Sequence, residues 1–265
     1  MNLKNDRGRI EIWVAVIGGI FAIIAAIIGS GYFSPAKQPN NNVTRTPPAS
    51  NYHDSISKAI RELGATKNNS YDLGTRLAAI RSLQTIGITA PETDIKKIIA
   101  SELQRYIRSN IIHRKFRGEG IQEDRGTFRA DDIVASIEAL QAIRRSSGNI
   151  IKIDLSNINF DHVNLVKFDL EGFYFAFSTF QYAFLSSSKM KEADFSLADL
   201  SYAAIWNADM SNANFHKVAL RGTKFANVQL SGSNIEEARD KNVALFGVKG
   251  LRKDQIAQFP RFDGK

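Results

Sequence analysis

Every residue whose number is a multiple of five, from Leu155 to Ile235, is Leu, Phe, Ile or Met: seventeen positions without an insertion. A helical face recurs every 3.6 residues and a strand face every two, so neither generates a five-residue lattice. A period held over so many copies marks a solenoid, in which stacked repeats share one continuous core. A second inward column lies two residues before each centre, running from Ile153 and Ile158 through Phe168 and Phe173 to Val228 and Ser233. Its members shrink after Phe173, which predicts a narrowing tube. Between the columns stands an Asp or Asn at most pentads: Asp154, Asn159, Asn164, Asp169, Asp194, Asp199, Asp209, Asn214 and Asn234. Such short side chains bond nearby backbone at turns, so turn chemistry rather than ligand binding is expected of them.

Ala193-Asp-Phe-Ser-Leu, Ala198-Asp-Leu-Ser-Tyr, Ala208-Asp-Met-Ser-Asn and Ala213-Asn-Phe-His-Lys resemble the pentapeptide-repeat family, whose motif is A(D/N)LXX. The resemblance implies a right-handed, quadrilateral β-helix with four pentads per coil. Residues twenty apart would then stack on one face, over a little more than four coils. Phe168, Phe173, Phe184 and Lys189 depart from the motif, which favours small or Asx residues there.

Ahead of the repeats the chain changes character several times. Residues 1–9 form a basic tail, and 10–33 are apolar apart from Glu11 and Ser30, long enough to cross a bilayer as a single-pass transmembrane helix. The rival is a cleaved signal peptide ending near Ser34-Pro35-Ala36, but the apolar run exceeds a usual signal core. Ala15, Gly18, Ala22, Ala25 and Gly29 share one stripe of this helix. The stripe is either a self-association contact making a homo-oligomer or the ordinary abundance of small residues in membrane helices. Lys4, Arg7 and Arg9 before the run, against Lys37 and Arg45 after it, lean toward an N-terminus inside. Residues 34–50 are rich in Pro and Asn and read as a linker.

Residues 51–150 show helical periodicity in four blocks: Ile56 to Leu63, Leu73 to Leu83, Ile95 to Ile107 and Ile133 to Ile143. Pro91 with Glu92 and Asp94 marks the third start, and Asp131 with Asp132 the fourth. Between them Lys115 to Arg129 is glycine-bearing and strongly charged and reads as a mobile connection. Arg76-Leu-Ala-Ala-Ile-Arg-Ser-Leu and residues 131–145 are similar to the helical region before the repeats in bacterial membrane-anchored pentapeptide-repeat proteins. That resemblance implies the bacterial cytoplasmic membrane and assigns the helices no biochemical role; they are equally a cap over the open end of a solenoid. Residues 238–265, with Gly250 to Phe259 as a short helix, read as the cap at the other end. The expected class is therefore α+β: a transmembrane helix, a small all-α domain of residues 51–150 and a β-helix of residues 151–237 with its cap.

Charge separates the functional options. The chain is +8, yet 153–237 holds six Lys/Arg against ten Asp/Glu while 51–150 holds sixteen against twelve. The basic excess, Arg114, Lys115 and Arg117 among it, suits anionic lipid, or simply a solvated surface. Some members of the family bind type II topoisomerases by imitating DNA, which implies gyrase as an alternative partner. A phosphate mimic needs a strip of carboxylates, whereas stacking by twenties gives Asp154, Tyr174, Asp194, Asn214 and Asp169, Lys189, Asp209, Gln229. Nucleic acid itself is disfavoured. Tyr174, Phe177, Tyr182 and Phe184 fall at outward positions, with Leu197 and Tyr202 stacked on two of them. This patch is either a protein-partner surface or a seat for the helical domain.

No cysteine is present, and there is no phosphate loop, nucleophile elbow, HExxH or paired-carboxylate site. His162 and His216 sit on different faces of a filled rod. Neither catalysis nor a cofactor is expected. The sequence reads as a non-catalytic, membrane-tethered scaffold for an unidentified protein partner.

Overall fold

The computed structural model describes residues 50–64, 66–67, 70–116, 131–239 and 243–259. Among them no helix is long and apolar enough to cross a membrane; the apolar run 10–33, with its small-residue stripe, lies outside the described residues.

Helix α1 (Ser50–Leu63) leads into an antiparallel pair, β1 (Thr66–Lys67) and β2 (Ser70–Tyr71). Two-residue strands leave no periodic trace in sequence, so this pair is not legible there. Helix α2 (Leu73–Thr89) starts at Asp72, whose carboxylate accepts the Thr75 N–H at 3.2 Å and its hydroxyl at 2.8 Å. That N-cap satisfies one donor orphaned at the helix start. Helices α3 (Thr93–Phe116) and α4 (Asp131–Ser146) carry Asp94 and Asp131 with Asp132 in their first turns, where acids complement the helix dipole.

Ile80, Leu83, Ile99, Leu103, Ile137 and Leu140 fill the helical core. α2 and α4 approach closely at Gly87, where an added Cβ would stand 2.6 Å from Ile143. Beside this crossing the buried Lys96 amine donates to the Ile88 carbonyl at 3.3 Å, the Ser146 carbonyl at 3.2 Å and the Ser146 hydroxyl at 2.9 Å. One cation thereby satisfies carbonyls at the C-terminal ends of two helices, where positive charge is favoured.

From Ile153 the chain coils. Pairing is parallel at a separation of twenty residues, and Asp154, Asn159, Asn164 and Asp169 each begin a separate row of bridges. Each turn therefore has four sides, named here by those four residues. On the Asn164 side the pairing widens into a three-stranded parallel sheet of β3 (Ala204–Trp206), β4 (Lys224–Ala226) and β5 (Ala244–Phe246). All seventeen centres are at most 1% exposed. Phe160, Phe175, Phe180, Phe195 and Phe215 pack along the axis, with ring centroids 4.9–5.8 Å apart.

Polar members of the second column are tolerated inside because they find carbonyls. The hydroxyls of Ser178, Ser188 and Thr223 donate to Leu155, Leu165 and Leu200 O at 2.9, 2.6 and 2.8 Å. Every one of the nine Asx side chains accepts the backbone N–H two residues ahead, as Asp154 does from Ser156 at 2.9 Å and Asp194 from Ser196 at 2.9 Å. Their carboxylates and amides are turn braces.

The corners explain why the period is five. At most corners the N–H three residues past a centre returns to that centre's carbonyl, as Val163 does to Phe160 at 3.1 Å. The residue before it is left-handed, from Asn157 at φ 55° and His162 at 60° to Gly232 at 72° and Glu237 at 55°. Each pentad spends a few residues crossing a side and the rest turning the corner.

The rod does not end at Glu237. Asp240 breaks the apolar column, which suggested a cap from residue 238, but Ala219 pairs with Arg239, β4 with β5, and Gln229 with Lys249. Val243 and Leu245 are fully buried, so the second column never stops and the first resumes after one polar member. The cap proper is α5 (Lys253–Ile256) with the buried Phe259; Gln255 Nε2 donates to Ser233 O at 3.0 Å, across the last coil.

Candidate functional site

The first coil of a solenoid presents backbone groups that later coils would otherwise pair. Side chains of α3 and α4 pair them here. The Asp154 N–H donates to Gln104 Oε1 at 2.6 Å. Arg108 donates to the carbonyls of Asp154, at 2.8 Å, and Ser156, and to the Asp154 carboxylate at 3.1 Å. Across the coil Arg144 Nε donates to Glu171 O at 3.1 Å, and Arg145 pairs with the Asp169 carboxylate. Ile111, Ile133 and Val134 cover Phe160 and Val163. Arg105, which is bonded to Glu102 on its own helix, shows that not every arginine of the basic excess serves this contact. The helical domain is thus seated on the end of the rod.

Burial of the Asp154 carboxyl works against its ionisation. Its bonds to Ser156 and the Arg108 guanidinium outweigh that and hold it below the ordinary 3.8. A carboxylate lowered in the folded state adds stability above its unfolded pKa, and this is lost as pH falls through the folded value. Asp154→Asn is therefore expected to lose less of its urea midpoint than the parent between about pH 5 and about pH 3.

The outward aromatics are not that seat. Phe177 is 61% exposed, Tyr182 46%, Tyr202 40%, and Tyr174 and Phe184 36% each. They do not form one flat patch. Tyr174 lies on the Asp154 side with Lys152 Nζ 5.4 Å from its ring centroid. Phe177 and the half-buried Leu197 share the next corner, both left-handed. At the corner after that, His162, Tyr182 and Tyr202 stack with interplanar angles of 5° and 7° and centroids 5.1 and 4.9 Å apart. Phe184 is just beyond, bridged to Asn164 and Ala204. Of the basic candidates, Arg114 and Lys115 fall in the last turn of α3, where side chains lie outside the described residues, as does Arg117 altogether.

The ring ladder stops at Gly222, and the geometry gives the reason. Gly222 is left-handed at φ 66°, and a Cβ there would meet the Tyr202 ring at 2.6 Å. Gly222→Ala is expected to lose about 1–2 kcal/mol to backbone strain alone, and more from the ring. In a Tyr202→Ala background only the backbone cost remains, which a urea midpoint comparison of the four variants resolves.

A parallel solenoid of stacked pentads, capped at both ends, defines the class of protein. Residues 153–191 and 185–216 match the family model described as Pentapeptide repeats, with eight copies, so this segment carries that repeat. Among solved structures, HetL from the cyanobacterium Nostoc sp. strain PCC 7120, involved in heterocyst differentiation regulation, is 22% identical with a TM-score of 0.29, over 37% of this chain and 47% of its own. This chain therefore spans about half the length of HetL. A pentapeptide repeat protein from the Arabidopsis thaliana thylakoid lumen is 29% identical with a TM-score of 0.23, over 40% of this chain and 72% of its own. Full-length QnrB1, a plasmid-mediated fluoroquinolone resistance protein, is 18% identical with a TM-score of 0.18, over 40% of this chain and 63% of its own. No curated protein matches the chain.

Proposed function

We propose that this chain is a non-catalytic display platform: a right-handed quadrilateral β-helix, tethered through residues 10–33 to the bacterial cytoplasmic membrane, that presents its outward aromatics to a protein partner. The observation that carries this reading is the division of surfaces. The helical domain takes the first coil, and Phe177, Tyr182 and Tyr202 stay exposed in the coils that follow. Exposed aromatics grouped on a rigid scaffold are the usual anchors of an interface. The tether is supported by the length and apolarity of residues 10–33, and the stripe from Ala15 to Gly29 suits pairing of two copies.

The DNA-mimic alternative is less well supported. The bridged rows interleave Asp154 with Tyr174 and Asp169 with Lys189, and the Asp154 and Asp169 carboxylates are already paired with Arg108 and Arg145. Proximity labelling from the full chain in intact cells, compared with Phe177→Ala/Tyr182→Ala, tests the platform. A protein captured by the parent and lost by the variant, with unchanged thermal unfolding, is expected. Identical capture by both would refute the aromatic surface, and inhibition of gyrase supercoiling by the purified chain would favour the alternative.

A further inference from the structure

One side of the rod carries no carboxylate. Of the ten Asp and Glu between residues 153 and 237, Asp154 and Asp194 lie on the first side, Asp161 and Asp199 on the second, Asp169 and Asp209 on the fourth. Glu236 and Glu237 join the first and Glu171 and Glu192 the fourth, which leaves the Asn164 side without one. It is also the side where bridges widen into β3, β4 and β5. Register sets Trp206 opposite Ala226 and Ala226 opposite Phe246, so two large rings flank a methyl group. The neighbouring row runs Phe184, Ala204, Lys224, Ala244, with Lys224 exposed. Phe246 is 45% exposed, and Trp206 half-buried.

Trp and Tyr rings concentrate at headgroup depth because one end is apolar and the other polar. Lysine is drawn to anionic lipid phosphate, and a carboxylate would be repelled from it. A sheet side with rings and lysine but no acid is complementary to an anionic bilayer, whereas the other three sides are not.

We propose that the Asn164 side rests on the anionic surface of the bilayer, with Trp206 and Phe246 at headgroup depth and Lys224 against lipid phosphate. This rests on the membrane-tethered reading and adds which side of the rod meets the lipid. Phe184 then goes with the lipid-facing side and the Tyr182–Tyr202 corner lies at its edge, while the Phe177 corner, on the far edge of the adjoining side, remains for a protein.

Trp13 and Trp206 are the two tryptophans, so the full chain with Trp13→Phe reports Trp206 alone. The protein is reconstituted into vesicles of phosphatidylcholine, with or without phosphatidylglycerol, carrying a doxyl label near the headgroup. Expected in the anionic vesicles is a blue-shifted Trp206 emission quenched roughly twofold or more by the label, with the quenching reduced by Lys224→Glu. Vesicle flotation is read in parallel. A chain that floats while Trp206 stays unquenched at the aqueous wavelength overturns the proposal and leaves the tether standing. A chain that floats with neither kind of vesicle is held by neither a tether nor this side, and overturns both readings. A blue shift without lipid quenching means that a protein or a second copy covers this side, and overturns the proposal.

Discussion

Asp132→Ala is expected to destabilise the helical domain by about 3–5 kcal/mol, the cost of leaving a buried charge without its partner. Asp132 and Arg76 are both buried, with Arg76 Nη1 3.9 Å from Asp132 Oδ2. Tyr106 joins them: its hydroxyl donates to Asp132 at 2.7 Å and accepts from Arg76 at 3.3 Å. The same carboxylate accepts the Ile133 N–H at 2.9 Å, and the Ser136 hydroxyl donates to the Asp132 carbonyl at 2.7 Å. Removing it would leave the buried guanidinium with only neutral partners such as Tyr106 and Asn110, and would take the acceptor from the Tyr106 phenol and the helix-start N–H. Burial, reinforced by the Asp132 hydrogen bond and charge, pushes the Tyr106 phenol well above its ordinary 10. A raised folded pKa contributes stability that is complete below the unfolded value and lost as pH rises toward the folded one. The domain should therefore weaken above about pH 10. Urea unfolding followed by helical circular dichroism measures both effects. A loss under about 1 kcal/mol for Asp132→Ala would show that the network is not held as described.

Phe180→Ala is the counterpart in the rod, with an expected loss of about 3–5 kcal/mol. Its ring is fully buried, stacks on Phe160 at 4.9 Å, and meets Phe175 and Phe195 edge-on at 5.2 and 5.7 Å. The pentads above and below are fixed by backbone pairing every twenty residues, so the cavity cannot close by collapse. Phe177→Ala, three residues away and outward, is the control, with an expected change within about 0.5 kcal/mol. Similar losses for the two would mean that the five-residue column is not the core.

The core of the rod was legible because one spacing repeats without interruption, and the Asx braces because their chemistry is local. Contacts distant in sequence were not. Arg108 and Arg145 read as a basic surface, and only the folded chain brings them to Asp154 and Asp169. Trp206 and Phe246 leave no local signal because they take the position after a centre, forty residues apart, and come to one side only through register. Val243 and Leu245 were hidden behind a single polar residue at Asp240. The left-handed corner holds Asn, Gly, Lys, Tyr, Phe and Glu alike, with no β-branched residue at any of the positions found there. Its signal is an exclusion, which a motif search overlooks.

The chain has no native cysteine, so single-cysteine variants label one site each. The division of surfaces is tested most directly by thiol modification rates at Phe177→Cys and Tyr182→Cys against Val163→Cys, beneath the cap. Modification at 177 and 182 at the rate of a free thiol, with 163 protected until unfolding, is the predicted result. Protection at 177 and 182 in the folded chain, with ready modification at 163, would place the helices over the aromatics and contradict the account.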